Sequence, residues 1–299
     1  MESKNNDWLM CLMVIALEFV LSKKKIWKIW DDFESEISNC NRYFPKAESI
    51  CGVLDFYSQK AIYQLPKSKT IFRARLIKSH SQNELPEHTK ALFTFFSEFG
   101  STKEQDPTVI ENINSHHDFW GFGPKDSDAA PHDRVLAGRI NPAGISYLHA
   151  AEDSHTAMVE VRPVIGQMVS VAEVEINKDL ILFDFCANLS NGDDTESEEL
   201  KIFEEIARRL SMPNYIGDTG YLSTQYVSSY IKNLKCGFDG IRFGSSLHKN
   251  GVNIVLFDTS QNNETKNYTI KNSSIHVVND ITILEEKFLP SEKNDFLHE

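Results

Sequence analysis

The stretch TIFRARLI, Thr70–Ile77, decides the fold. Its residues alternate: Ile71, Arg73, Arg75 and Ile77 fall on one face, Phe72, Ala74 and Leu76 on the other, which is the period of a strand. Before it the period is different. WLMCLMVIALEFVL (Trp8–Leu21), WKIWDDFESEI (Trp27–Ile37) and SICGVLDFYSQKAI (Ser49–Ile62) repeat their apolar residues at three and four, the helical spacing. Residues 1–66 are therefore expected to be a helical N-terminal extension, closed at Pro66 by the turn LPKSKT. Two arginines on one strand face suit either a solvated edge or a strand that aims guanidinium groups into an anion site.

After Ile77 the chain reads mainly as strands. EHTKALFTFFSEF (Glu87–Phe99) is a short helical patch. ISYLHAA (Ile145–Ala151) is a short strand, followed by a helix that Asp153 or Ser154 can cap and that runs through Thr156, Ala157 and Glu160 to a stop at Pro163 and Gly166. QMVSVAEVEI and LILFDF are strands. SEELKIFEEIARRL is an amphipathic helix with Ser197 as its cap, and STQYVSSYIKNL is a second helix stopped by Gly237. GFDGIRFGSS, VNIVLF, YTIK, IHVV and ITIL supply further strand signals, and the charged C-terminal end is expected to fray. Strands outnumber helices over residues 67–299, without a regular βαβ alternation. The fold class expected is α+β, with a mixed, mostly antiparallel sheet.

Composition removes several functions. The chain has 299 residues and a formal net charge of −12, which argues against gripping a nucleic-acid backbone and leaves room only for a local basic pocket. Its five cysteines form no CxxC pair, so neither a disulfide framework nor a zinc ribbon is expected. His116, His117 and His132 lie close in sequence, but no HExxH spacing supports a metal site. Trp8–Leu21 is too short to span a bilayer and carries Glu18, so no stable membrane insertion is expected. There is no GxGxxG after a strand, no P-loop and no GxSxG elbow.

Three blocks carry a resemblance. FRAR (Phe72–Arg75), GRINPAGISYLHAA with TAMVEVRP (Gly138–Pro163), and GFDGIRFGSS with NIVLF (Gly237–Phe257) resemble, in that order, the RES domain family. The likeness covers roughly residues 71–257, and NRYFP at Asn41–Pro45 resembles the leader of the longer members. It implies an ADP-ribosyltransferase-like fold and an enzyme that takes NAD as substrate and breaks its nicotinamide–ribose bond. It also implies a growth-inhibiting cytoplasmic toxin held by a small Xre-like antitoxin protein. Transfer of ADP-ribose to a protein is an alternative reading. A catalytically impaired module that binds nucleotide or antitoxin is another.

Carried over position by position, the family arginine falls on Arg73, the glutamate on Glu160 and the serine on Ser245, and Arg139 matches a second arginine. The family's usual tyrosine is here His149, with Tyr147 two residues earlier on the same strand face. The chemistry fits these types. NAD⁺ already carries a cationic leaving group, so no acid is needed to expel nicotinamide, and no metal is required. Arg73 and Arg139 suit phosphate oxygens. Glu160 suits an oxocarbenium-like transition state. Ser245 suits a ribose hydroxyl or the placing of Glu160, and Tyr147 and His149 suit substrate contact, with a histidine able to titrate near neutral pH.

Overall fold

The structure, a computed structural model, describes residues 22–91, 118–189, 197–212, 218–258 and 265–281. Its strands are β1 (Ile62–Leu65), β2 (Thr70–Ile77), β3 (Leu148–Ala151), β4 (Met168–Ile176), β5 (Leu180–Asp184), β6 (Gly240–Gly244), β7 (Val252–Leu256) and β8 (Tyr268–Val277). They form one eight-stranded sheet in the order β1-β5-β6-β7-β3-β2-β4-β8. Among the pairings of these described strands, only β5–β6 is parallel. Helices α1 (22–35, running on into a π turn at Glu36–Cys40), α2 (Glu48–Tyr57), α3 (Ser154–Glu160), α4 (Glu198–Ser211) and α5 (Leu222–Lys232) surround it. The chain is thus α+β with a mostly antiparallel sheet.

The alternation along β7 shows how the layers are built. Ile254 and Leu256 point to one face, where they join Ile71, Leu148, Val174, Leu182 and Tyr268. Val255 and, just beyond the strand, Phe257 point to the other, where α1, α2, α4 and α5 cover the sheet. Trp30 and Phe33 of α1, Leu54 of α2, Ile206 of α4 and Val227 of α5 fill that layer beside Phe183 and Ile241. Each large apolar side chain buried there contributes about 1.5–3 kcal/mol, so α1 and α2 share their core with the sheet.

Local signals hold at the starts of α3 and α4. The Ser197 hydroxyl accepts from Leu200 N, Glu198 and Glu199 stand in the first turn of α4, and Arg208 and Arg209 stand in its last, as the helix dipole favours. Asp153 caps α3 by accepting from Thr156 N. Three expectations are corrected. Residues 62–65 are strand β1, not the end of a helix, because they complete a four-rung ladder with β5 and bury Leu65. Helix α5 stops at Lys232 with Asn233 as its cap, while Gly237, at φ 69°, turns the chain toward β6. The two segments expected around Tyr268–Lys271 and Ile275–Val278 are one strand, β8, paired along β4 past a bulge at Glu173/Val174.

Among the described residues no helix is long and apolar enough to cross a membrane. The described cysteines are free thiols, and no described cluster of His, Cys, Asp and Glu has the grouping of a metal site. Trp8–Leu21, Cys11, most of the Glu87–Phe99 patch, His116, His117 and the charged C-terminal end lie outside the described residues, as does ITIL beyond Ile281.

The sheet is not evenly knit. β2 pairs with β4 over all eight of its residues, yet meets β3 at one position only, Phe72↔Ala151. The two halves of the sheet part there, and α3 packs against β2 beside the opening.

Candidate active site

A cavity of about 360 Å³ occupies this parting of the sheet. Arg73, Arg139, His149, Glu160 and Asn253 supply its polar wall; Phe72, Phe243 and Val255 are among the apolar side chains opposite. Of the residues singled out in the sequence, Arg73, Arg139, His149 and Glu160 therefore meet, and Ser245 touches Glu160 from behind.

The loop Gly138–Asn141 is fastened before any ligand arrives. Gly138 N donates to Asn141 O at 2.9 Å. Helix α5 turns buried polar groups toward it: Gln225 Nε2 donates to Gly138 O at 2.7 Å and Asn141 O at 3.2 Å, and the Ser228 hydroxyl donates to Ile140 O. A Cβ on Gly138 would lie 2.8 Å from Asn141 Oδ1, so glycine here makes room for that amide.

Arg139 leaves this loop and donates from Nη1 to Leu210 O (3.0 Å) and Ser211 O, carbonyls at the C-terminal end of α4. Its Nη2 lies 3.5 Å from Glu160 Oε2. Arg139 lines the cavity as expected of a substrate-binding residue, and its Nη1 also joins the end of α4 to the site. Burial holds its pKa below the ordinary arginine value, and Glu160 opposes that shift.

Glu160 closes the last turn of α3. Its Oε1 accepts from Ser245 Oγ and from Asn253 Nδ2, both at 2.7 Å. Ser245 Oγ also accepts from Leu247 N and His248 N at 3.1 Å, so the turn after β6 fixes the hydroxyl that fixes the carboxylate. The turn itself is tied to α3: the Thr156 hydroxyl donates to Asp153, which leaves His248 Nδ1 to donate to Thr156 Oγ1 at 2.7 Å. Of the two functions expected for Ser245, the structure shows the placing of Glu160. The neighbouring Ser246 is exposed.

Arg73 is the cation with donors to spare. Nη1 donates to His149 O at 2.6 Å, Nε is buried without a partner, and no carboxylate pairs with the group among the described residues. Burial, and then Arg75, hold its pKa down to about 10, which leaves it charged at neutral pH. Arg75, two residues on, is engaged elsewhere, with Asp126 O, with Glu84 Oε2 at 3.8 Å and over the Phe122 ring at 4.7 Å. A half-buried guanidinium with no ion pair among the described residues suits an anionic ligand.

His149 does not titrate near neutrality as its type suggested. Its ring is open toward the cavity, yet it lies deep among protein atoms between two guanidinium groups. Burial first, then Arg73 and Arg139, push its pKa down to about 3. Asn141 Nδ2 donates to Leu136 O and Pro142 O, so Asn141 Oδ1 is the acceptor facing His149, and Nε2 of the neutral ring carries the proton across 3.1 Å. The unfolded chain takes up this proton near pH 6.5 and the folded chain only near pH 3, so the stability involved is complete above pH 6.5 and is lost as pH falls from there toward 3. Histidine NMR should find the ring of His149 unprotonated from pH 8 to 5, and His149→Gln should flatten the acid side of the stability profile; a ring that titrates near pH 6.5 would refute the assignment.

Tyr147 does not reach the cavity. It is buried in the helix-covered core, 5.0 Å from the Phe257 ring and 4.9 Å from Lys232 Nζ, so it is not placed to stand in for the family tyrosine. His132 lies apart and bonds Gly144 O at 3.0 Å. Sequence reasoning passed over Asn253 and Asn141. The signal for Asn253 was present: a lone amide in the otherwise apolar run VNIVLF, 6% exposed in the structure, where a buried amide requires partners.

Comparison with protein-family models matches residues 111–276 to the RES domain. Arg139, His149, Glu160, Ser245 and Asn253 lie inside the matched span; Arg73 lies upstream of it and joins the cavity through β2. No curated protein and no solved structure matches the chain. More than half of the sequence falls within the family match, and the chain belongs to the RES domain family, one linked to NAD-related toxin function.

Proposed function

We propose that the chain cleaves the nicotinamide–ribose bond of NAD⁺. One observation carries this reading: a single cavity is lined by a half-buried guanidinium, Arg73, that has no ion pair among the described residues, and by a carboxylate, Glu160, that three donors hold in place. The first is the complement of a phosphate. The second is the complement of the positive charge that grows on the ribose as nicotinamide departs. The leaving group is neutral once released, so the site has no need of an acid, and His149, held neutral, is not one. The apolar wall at Phe72 and Phe243 suits the planar ring.

On this reading the protein is a toxin that depletes NAD in the cytoplasm and is restrained by a small Xre-like antitoxin. That biological part rests on the family's link to toxins. The test uses the full chain with NAD⁺ and no added metal. Free nicotinamide should appear in proportion to enzyme, with the ADP-ribosyl product on water or phosphate according to buffer. Absence of nicotinamide at high enzyme concentration would sink the proposal. ADP-ribose appearing on protein would make the activity a transfer through the same cavity.

A further inference from the structure

The geometry points to Asn253 as a positioning residue for Glu160 and as the reader of one ribose hydroxyl, an inference that rests on the NAD⁺ reading above. Asn253 sits on β7 beside the cavity, and its Nδ2 donates to Glu160 Oε1 at 2.7 Å. Its amide can face only one way, because a carboxylate oxygen accepts and the amide oxygen cannot donate. Oδ1 therefore points away from Glu160. It has no hydrogen-bond partner among the described residues, and it is not among the enclosed orphan atoms, so it opens on the cavity that Asn253 lines.

The two oxygens of Glu160 become inequivalent as a result. Oε1 is engaged by the Ser245 hydroxyl and the Asn253 amide, while Oε2 has only Arg139 at 3.5 Å. Oε2 is thus the oxygen left for substrate. Two acceptors, Glu160 Oε2 and Asn253 Oδ1, are carried by neighbouring side chains that are themselves hydrogen-bonded to each other. A ribose offers the matching pair of donors, hydroxyls on adjacent carbons. We assign one hydroxyl to Glu160 Oε2 and the other to Asn253 Oδ1. A sugar lacking the second hydroxyl leaves Oδ1 without a donor in a partly desolvated site, a loss that hydrogen-bonding sites punish strongly.

The test is a cycle of two enzymes and three substrates: wild type and Asn253→Ala, with NAD⁺ and its analogues deoxygenated at the 2′ or the 3′ position of the nicotinamide ribose. Intrinsic differences in bond reactivity cancel across the cycle. In wild type, loss of the hydroxyl read by Asn253 should lower kcat/KM about 10-fold or more beyond its loss in Asn253→Ala. For Asn253→Asp, a second carboxyl against Glu160 makes the pair share a proton, so its activity should begin to fall at a higher pH than that of wild type. A merely structural asparagine leaves the substrate cycle unmoved. Asn253→Ser, which keeps a small polar group on the strand, repeats the cycle if the alanine variant folds poorly. Equal losses in both enzymes for both analogues overturn this inference and leave the NAD⁺ reading standing. Absence of nicotinamide release from NAD⁺ by wild type overturns both.

Discussion

Glu160→Gln should release nicotinamide from NAD⁺ about 10²–10³-fold more slowly than the native chain, with little change in the thermal midpoint. The substitution keeps the shape of the side chain. Its carbonyl oxygen can still accept from Ser245 Oγ and Asn253 Nδ2, which sit 2.7 Å from Glu160 Oε1. What changes is the other end, where an amide donor replaces Oε2 and faces Arg139. The negative charge beside the ribose is gone, and removal of one such preorganised electrostatic contact typically slows an enzyme by this amount. The effect should fall on kcat more than on KM, because the charge matters most when the ribose is cationic. A variant within threefold of native kcat would mean that Glu160 does not face the reacting carbon.

Arg73→Met should separate binding from folding. The guanidinium is half-buried, has no ion pair among the described residues and has an Nε with no partner, and Tyr268 and Asp128 nearby only partly offset its desolvation. An apolar side chain of similar length removes that penalty at the loss of one hydrogen bond, Arg73 Nη1 to His149 O. Replacing buried charge by apolar groups is often stabilising. A gain of about 1 kcal/mol would raise the midpoint by about 2–4 °C for a domain of this order of size. Affinity for NAD⁺ should fall about 10²-fold or more, as expected when a desolvated charge contact to phosphate is removed. Calorimetric titration and a thermal scan on the same sample read both quantities. A variant that melts lower and still binds would place the phosphate grip elsewhere.

The local rules carried the sequence reading a long way. Caps at Ser197 and Asp153 were visible because each is a side chain reaching the backbone three residues on. The strand at Thr70–Ile77 was visible because its faces differ. β1 was not: within Ile62–Leu65 only Leu65 is buried, and what makes it a strand is a partner more than a hundred residues away. The same division runs through the site. Arg73, Glu160 and Ser245 stood out by type and order, whereas the engagement of Arg139 with the end of α4 and the core position of Tyr147 depend on packing that no spacing reveals. His149 shows the limit most plainly. A histidine alone reads as a group poised to titrate, and only its burial, with Arg73 and Arg139 around it, turns it into a neutral ring.

The single rung between β2 and β3 bears on how the protein behaves under load. A sheet resists shearing along its ladders, and here one seam is almost unstitched just where the substrate is proposed to sit. A bound dinucleotide would bridge that seam, gripped by Arg73 on β2 at one side and by Asn253 on β7, beyond β3, at the other. Substrate would then work as a rivet. Amides along the facing edges of β2 and β3 should exchange with solvent faster than those between β2 and β4, and should slow when the seam is filled.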